Sequence, residues 1–341
     1  MIITRAPVRI SLAGGGTDLE AYFGRYGGTV VSTTIDKYFY VFINADRREN
    51  IQITSSDYRT FYRTRPGEPE LWEGDLALPR AILDLFEVRS GISMFLASEV
   101  PPGTGLGSSS TVAVAVSKGV AALCGGSLSR AALAELACYV EIEKLGMPIG
   151  KQDQYAAAFG GLNRFEFGNA GVGVYPLRLS DPVLALLENS LLLFYTGAAH
   201  DSAVILREQR RASQQDQPEV IEALHAVKAM ALEVVRCLEQ GDIRRFGSLL
   251  DQNWQHKKRF AAGVTTPLID ECYALALQNG ALGGKIAGAG GGGFLMLACE
   301  EADQARVTQA LEGKGLRRMD FRFENMGAQI LVNTGLKIRE G

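Results

Sequence analysis

Residues 101–110 read PPGTGLGSSS, and this stretch, which leads directly into the apolar run TVAVAVSKGVAAL at 111–123, decides the fold. Glycines at alternate positions let the backbone bend where a side chain would clash, and they leave amide N–H groups free to face a ligand. Serine is a favoured N-cap, so the apolar run predicts a buried helix that begins at Ser110. A glycine loop at a helix N-terminus favours phosphate oxygens, because free donors and the positive end of the helix dipole meet there. The glycine spacing is equally compatible with a flexible turn before an ordinary capped helix.

Two familiar nucleotide-binding motifs are excluded. The chain contains no GxxxxGK[ST] stretch and therefore no Walker A loop. Gly288, Gly290 and Gly293 do spell GxGxxG, but the strand-like run FLMLAC follows them at 294–299. A Rossmann fingerprint requires the strand before the glycines and the helix after them, so we discount this match.

Length and charge exclude several classes of protein. The chain has 341 residues and a net charge of −3, so we expect two domains and no electrostatic attraction to nucleic acid or to an anionic membrane. Its five scattered cysteines are typical of buried thiols in a reducing compartment. We see no signal-peptide pattern and no uncharged apolar run of about 18 residues. The sequence thus predicts a cytoplasmic protein that binds neither nucleic acid nor a membrane.

The character of the chain changes between residues 180 and 190. Strand-like and helical segments are mixed before this point, whereas long helical patterns dominate from 201 to 279. We therefore predict an N-terminal domain at 1–185 and a C-terminal domain at 186–341.

Three glycine-rich segments, at 14–16, 103–107 and 288–293, each lie beside a predicted strand or helix end. This arrangement suggests backbone drawn close to one ligand from several sides. Between the last two segments lie Glu143 and Asp153, which are ten residues apart across a Gly/Pro turn and can fold back to converge. They could equally be solvated surface acids, as most carboxylates are.

Phosphoryl transfer from ATP would use all of these features. It requires donors around the phosphates, hard oxygen ligands for Mg²⁺, a cation for developing charge, and a group that orients the attacking hydroxyl. The metal ligands would be Ser110 and Glu143. The cation would be Arg9 or Lys151, and Asp153 would orient the hydroxyl.

Three stretches, in order, resemble the motifs of the GHMP small-molecule kinases, which include galactokinase, homoserine kinase, mevalonate kinase and phosphomevalonate kinase. They are residues 6–18 (APVRISLAGGGTD), 102–110 and 284–293 (GKIAGAGGGG). The resemblance spans nearly the whole chain. It implies an α+β, two-domain GHMP-kinase fold with a ribosomal protein S5-like N-terminal domain and a ferredoxin-like C-terminal domain. ATP and Mg²⁺ would lie in the cleft between the domains.

Carried over position by position, the resemblance implies a role for each matching residue. Ser110 and Glu143 would bind Mg²⁺, and Asp153 would orient or deprotonate the acceptor hydroxyl. Arg9 would be the transition-state arginine, and Asp18 would hold sugar hydroxyls. The phosphate-binding loop would comprise Pro102, Gly103, Gly105, Gly107, Ser108, Ser109 and Ser110, and the acceptor-side segments would comprise Gly15, Gly16, Thr17, Asp18, Gly288, Gly290 and Gly291. Galactokinase has Glu-His where this chain has Gly15-Gly16, which implies a different sugar pocket.

The acceptor is implied by further stretches, TIDKY at 34–38, GKQDQY at 150–155 and FYTG at 194–197. They resemble most the branch of the family that phosphorylates the C1 hydroxyl of D-glycero-D-manno-heptose 7-phosphate to the 1,7-bisphosphate, for GDP-heptose and surface polysaccharide synthesis. A kinase of an unphosphorylated sugar of the fucose, galactose or uronic acid type is the alternative. A non-catalytic sugar and nucleotide sensor is a further alternative, which the presence of Asp153, Glu143 and Ser110 disfavours. We expect a monomer or a homodimer.

An acceptor that already carries phosphate would require a second anion site, for which arginine is suited. The candidates are basic residues of two predicted helices: Arg207, Arg210 and Arg211, and Lys257, Lys258 and Arg259. Each of them could instead belong to a solvated helix face.

Overall fold

The computed structural model describes residues 1–45, 50–57, 59–63, 74, 76–197 and 202–336, and within these residues it contains two β-sheets. The first sheet has eight strands: β1 (Ile2–Ala13), β2 (Gly28–Ala45), β3 (Ile51–Ser55), β4 (Thr60–Arg63), β5 (Ile92–Ser98), β6 (Leu162–Gly168), β7 (Gly171–Pro176) and β12 (Gln329–Asn333). Its main path runs β12-β1-β2-β5-β3-β4, and the β6–β7 hairpin also pairs with β2. The second sheet, in the order β11-β8-β10-β9, comprises β8 (Leu191–Tyr195), β9 (Ala281–Ile286), β10 (Phe294–Cys299) and β11 (Arg317–Met319).

Eleven α-helices pack on these sheets in the described part of the chain. They are α1 (Glu20–Tyr26), α2 (Ala77–Leu85), α3 (Ser108–Leu123), α4 (Arg130–Cys138), α5 (Gln152–Phe159), α6 (Asp181–Ser190), α7 (Ser202–Gln214), α8 (Pro218–Gln240), α9 (Ile243–Lys257), α10 (Pro267–Gln278) and α11 (Glu301–Glu312). A π-helical turn, Tyr139–Lys144, continues α4. No described helix combines the length and the apolar character that crossing a membrane requires.

Helix α3 is the centre of the N-terminal half. Its small residues, mostly valine and alanine, are buried on nearly every side, because β1, β2, α2, α4 and α5 all pack against it. The helix begins at Ser108, two residues earlier than the sequence predicts.

Most other elements lie close to their predicted positions. The apolar stretches at 92–98 and 191–195 predict strands, and the structure has strands with those bounds. The residue pattern at 51–64 predicts a single strand, whereas the structure has both β3 and β4 within it. The sequence analysis did not identify α6, the β6–β7 hairpin or β9. Strand β9 contains Gly283 and Gly284, which weaken a strand signal.

Several elements connect the two halves of the chain across the predicted boundary at 185. Helix α6 spans that boundary, and the second sheet begins directly after it with β8. Strand β12, however, returns to the first sheet and pairs with β1, with Ile2 opposite Asn333. Helix α8 also packs on β1 and β2. The end of the chain therefore completes the N-terminal sheet, and a hydrophobic core formed by Val8, Ile10 and Leu12 with α8 and α9 connects the two halves.

Candidate active site

A cavity of about 380 Å³ lies between the two halves of the molecule. All three glycine-rich segments predicted to meet at one ligand contribute to its wall. It is lined by residues of 15–19, 103–110, 147–153 and 285–289, together with side chains from β1, α7 and α9. The pattern of separated glycines thus does reflect one shared site.

The loop before α3 requires its alternate glycines. Gly103, Gly105 and Gly107 have φ angles of +70°, +82° and +77°, a region that other residues rarely adopt. A Cβ on Gly105 would lie 2.4 Å from the carbonyl oxygen of Ala287, and one on Gly107 would lie 3.0 Å from Oδ2 of Asp153. The loop therefore brings its backbone against both the second half of the molecule and the predicted acid.

The backbone N–H groups of residues 103–110 donate no hydrogen bond to any residue in the described ranges. Ser108, Ser109 and Ser110 form the first turn of α3, where the helix dipole is positive. Free amides at a helix N-terminus form a site for phosphate oxygens. Pro102, which has no N–H, does not line the cavity.

Arg9 and Asp153 form a pair at the base of this loop. Oδ1 of Asp153 accepts a hydrogen bond from Nε of Arg9 at 2.7 Å and forms an ion pair with Nη2 at 2.6 Å. Nη1 of Arg9 donates to the carbonyl of Gly105 at 2.6 Å. Arg9 is buried, whereas the Asp153 side chain is 22% exposed and faces the cavity. Lys151, the alternative cation, lies 3.5 Å from Glu135 and points away from this pair, into a neighbouring cavity.

Asp18 is the second acid of the cavity. Its carboxylate accepts hydrogen bonds from the backbone N–H of Gly16 at 3.0 Å and from the side chain of Gln152 at 3.1 Å. Burial, and then the charge of Asp153, raise the pKa of Asp18. Oγ of Ser11 and Oε1 of Gln152 also lie at this wall, and neither has a partner within the described residues. Polar atoms of this kind suit a ligand rich in hydroxyl groups.

The glycines next to Asp18 differ in role from Thr17. Gly15 and Gly16 line the cavity, and a Cβ on Gly16 would lie 2.9 Å from the ring of Phe260. Thr17 does not face the cavity. Its buried hydroxyl donates to the carbonyl of Gly14 at 2.8 Å and accepts from the N–H of Thr29 at 3.0 Å. Thr17 therefore holds the loop together, and the structure does not place it against a substrate.

Of the predicted glycines in the third segment, only one lines the cavity. Gly288 lines the cavity, and a Cβ there would lie 2.5 Å from Cα of Gly105. Gly290 and Gly291 do not line it. They pack on Val264, whose carbonyl accepts a hydrogen bond from the N–H of Gly291 at 2.8 Å.

The carboxylate beside Ser110 is Glu141, not Glu143. Glu143 is exposed and lines the neighbouring cavity. Glu141 is fully buried, and its two oxygens accept hydrogen bonds from Oγ of Ser109 at 2.8 Å and from Nε2 of Gln154 at 2.7 Å. Burial raises the pKa of Glu141 to about 7, although the hydrogen bonds from Ser110, Ser109 and Gln154 act in the opposite direction.

Comparison with known proteins gives the family. Models of the N-terminal and C-terminal domains of GHMP kinases match residues 77–161 and 234–316. A D-glycero-alpha-D-manno-heptose 7-phosphate kinase of Campylobacter jejuni subsp. jejuni serotype O:2 is 32% identical over 334 residues, which cover 96% of this chain and 98% of that protein. The chain belongs to the GHMP kinase family. It is a phosphotransferase, and the predicted α+β GHMP-kinase fold is confirmed.

Two further relatives of this GHMP kinase bear on its acceptor. The crystal structure of a D-glycero-D-manno-heptose 1-phosphate kinase from Bacteriodes thetaiotaomicron superimposes with a TM-score of 0.81 at 28% identity, covering 98% of this chain and 100% of that one. An L-fucokinase/L-fucose-1-P guanylyltransferase of Bacteroides fragilis is 26% identical over 88% of this chain and 35% of its own length. Sugar kinases are thus its relatives.

Two lysines from the C-terminal half of this GHMP kinase line the cavity. Lys257 on α9 donates hydrogen bonds from Nζ to the carbonyls of Ile286, at 3.0 Å, and Gly288. Lys285 on β9 is likewise buried and lines the cavity. Burial, and then the charge of Arg9, lower the pKa of Lys257 to about 7. Burial, and then the charges of Lys257 and Arg9, lower the pKa of Lys285 well below its usual value.

From sequence, Lys257 is only a candidate for binding a second phosphate, and Lys285 has no predicted role. The signal for Lys285 was a charged residue inside an otherwise apolar strand, directly before the third glycine segment.

Proposed function

We propose that this kinase transfers the γ-phosphoryl group of ATP to the C1 hydroxyl of a heptose 7-phosphate, giving the 1,7-bisphosphate. The observation that carries this proposal is the Arg9–Asp153 pair, which lies where the free amides of the glycine loop meet the polar wall around Asp18. A phosphate donor on one side and a polyol acceptor on the other would meet at Asp153. The name of the Campylobacter relative supports the phosphorylated heptose as acceptor.

The positions of Arg9 and Asp153 assign each of them a part in the phosphoryl transfer. The oxygen of the acceptor hydroxyl attacks the γ-phosphorus, the bond from that phosphorus to the bridging oxygen breaks, and ADP leaves with the electron pair. Asp153 orients the hydroxyl and receives its proton. Arg9 fixes the Asp153 carboxylate through a hydrogen bond and an ion pair to one oxygen, Oδ1, which leaves Oδ2 for the acceptor.

The residues around Glu141 fit a magnesium ion. Oε1 of Gln154 is buried without a partner within the described residues, and the Glu141 carboxylate beside it has no cation in contact. Hard oxygen donors of this kind suit Mg²⁺. Glu141 and Ser110 would hold the ion, which when bound would neutralise charge on the ATP phosphates.

The nucleotide base would occupy an apolar cavity of about 280 Å³ that shares Ser109 and Met147 with the main one. Its wall is built mostly from apolar side chains: Phe39, Leu76, Leu78, Pro79, Leu96, Val112 and Leu145. A planar base suits such a cavity, because its faces are apolar.

The distal phosphate of the acceptor would bind between Lys151 and Arg210. Both line a cavity of about 430 Å³ that shares Asp18, Leu19 and Ile149 with the main cavity. Replacing Arg210 by alanine should raise KM for heptose 7-phosphate about tenfold, because a charge-assisted hydrogen bond is lost. KM for the unphosphorylated heptose should not change. Arg211→Ala, on the same helix but outside both cavities, is the control; equal effects of Arg210→Ala on both sugars would contradict this site.

An unphosphorylated sugar is the second candidate acceptor. Glu20, Glu135 and Glu143 also line the Lys151–Arg210 cavity and disfavour an anion there, and the fucokinase relative acts on such a sugar by its name. An ADP-release assay with heptose 7-phosphate, heptose 1-phosphate, free heptose, L-fucose, galactose and glucuronate separates the two. We expect kcat/KM for heptose 7-phosphate to exceed that for every other sugar by about 10²-fold or more. A higher value for any unphosphorylated sugar would overturn the proposal.

ATP binding should depend on pH through the buried lysine on α9. Lys257 has a pKa of about 7 in the free protein, and the charged groups around it are Arg9, Lys285 and, through Arg9, Asp153. A bound anion favours the ammonium form, so ATP binding should take up protons at pH 7.5 and its Kd should rise as pH rises from 7 to 9. Calorimetry in two buffers of different ionisation enthalpy measures this uptake. Proton release, or a Kd that falls with rising pH, would contradict it.

A further inference from the structure

Lys285 is a buried lysine whose side chain faces the cavity without a carboxylate partner. The residue is 3% exposed, and its side chain forms no hydrogen bond or ion pair with any residue of the described ranges. Burying a charge without a partner costs free energy. A cation in this position therefore needs an anion that enters the cavity.

Lys257 has a different environment from Lys285, although both are buried. Both of its contacts are backbone carbonyls of the segment 286–288, which directly follows Lys285. The same segment packs on Gly105, with the Ala287 carbonyl and Gly288 both in close contact with it. Lys257 therefore holds the end of β9 against the phosphate-binding loop.

The position of an anion that would pair with Lys285 can be inferred from the residues that line the cavity with it. Arg9, Lys257 and Lys285 all line this cavity, and burial, together with the charge of Arg9, lowers the pKa of both lysines. Arg9 itself bridges the carbonyl of Gly105 and the carboxylate of Asp153. The three side chains thus line the same cavity as the phosphate-binding loop and Asp153, where a phosphate transferred between the two would pass.

We propose that Lys285 contacts the γ-phosphoryl group of ATP during its transfer, and that Lys257 is the positioning residue that keeps Lys285 and the two glycine segments together. This inference rests on the proposed transfer from ATP. As the bond between the γ-phosphorus and the bridging oxygen breaks and the acceptor oxygen bonds to that phosphorus, negative charge spreads over the phosphoryl oxygens. An ammonium already fixed at that point stabilises this charge without reorganisation.

The test compares Lys285→Met and Lys285→Gln with Lys285→Arg and with Lys258→Met, whose lysine lies 3.7 Å from Asp270 outside the cavity. Turnover is measured with whichever acceptor the wild-type protein phosphorylates, and binding is measured with ADP and with a non-hydrolysable ATP analogue. Both neutral variants should lose about 10–100-fold in kcat and bind the ATP analogue more weakly, while ADP binding and acceptor KM stay the same. Lys285→Arg should recover part of the loss, and Lys258→Met should behave as wild type.

Stability provides a second readout. In the absence of ligands, Lys285→Met should have a Tm no lower than the wild type, because it replaces a buried amine that has no partner by an apolar side chain of similar length. A large fall in Tm of both neutral variants would show that Lys285 is structural and would overturn the proposal. Wild-type kcat in these variants would also overturn it. A rise in KM for a phosphorylated acceptor alone, with kcat unchanged, would assign Lys285 to the acceptor's phosphate instead. The ADP and ATP-analogue affinities report on Lys285 even if the acceptor is not a heptose phosphate.

Discussion

Asp153→Asn is expected to lower kcat by about 10²–10⁴-fold, the range typical for loss of a general base. The asparagine oxygen can still accept a hydrogen bond from Arg9, so the loop around Gly105 and Gly107 should keep its shape. What disappears is the negative charge that aims the acceptor hydroxyl and takes its proton. Binding of ATP should be unchanged, because the phosphate-binding amides are untouched. Steady-state kinetics and ATP titration measure the two quantities separately.

The control for this prediction is Asp320→Asn, which neutralises an exposed carboxylate that does not line the cavity. It should have wild-type kcat and wild-type ATP affinity. If Asp153→Asn also turned over at the wild-type rate, Asp153 would have no part in the reaction.

Glu141→Gln is expected to lower kcat/KM by about 10²–10³-fold at limiting Mg²⁺, since a bound metal contributes several kcal/mol to the transition state. Part of the loss should be recovered at raised Mg²⁺ concentration. The variant should fold, because glutamine can accept the bonds from Ser109 and the neutral form of Glu141 is already favoured by burial. Ser110→Ala should show a weaker defect with the same dependence on Mg²⁺.

Glu143→Gln is the matched control, because Glu143 lies two residues along the chain but is exposed. We expect it to have wild-type Mg²⁺ dependence. A defect in Glu143→Gln together with normal behaviour of Glu141→Gln would restore the assignment made from sequence and contradict the geometry.

The sequence predicts Glu143 as the carboxylate beside Ser110, whereas the structure has Glu141 in that position. The pattern at 129–144 predicts a single helix, whereas the structure has an α-helix at Arg130–Cys138 that continues as a π-helical turn at Tyr139–Lys144. A signal was nevertheless present. Ala134, Ala137 and Glu141 follow the i, i+3, i+7 spacing of a buried helix face. This spacing places the Glu141 carboxylate on the buried side of the helix.

Other parts of the site could be read from local patterns. The glycine loop and the start of α3 are fixed by alternate glycines, serines and a small apolar run, all of which act over a few residues. Arg9 and Asp153 are 144 residues apart, and their contact exists only because β1 and α5 both pack beside α3. Likewise, the burial of Lys285 depends on how β9 meets the first half of the molecule. Such pairings are products of the tertiary fold.

The most direct measurement of the central claim is a crystal structure with Mg²⁺ and a non-hydrolysable ATP analogue. We predict that the phosphates accept hydrogen bonds from the backbone amides of residues 103–110, and that the γ-phosphate lies between Asp153 and Lys285. A triphosphate bound elsewhere, or a γ-phosphate from which Asp153 and Lys285 both point away, would contradict the account.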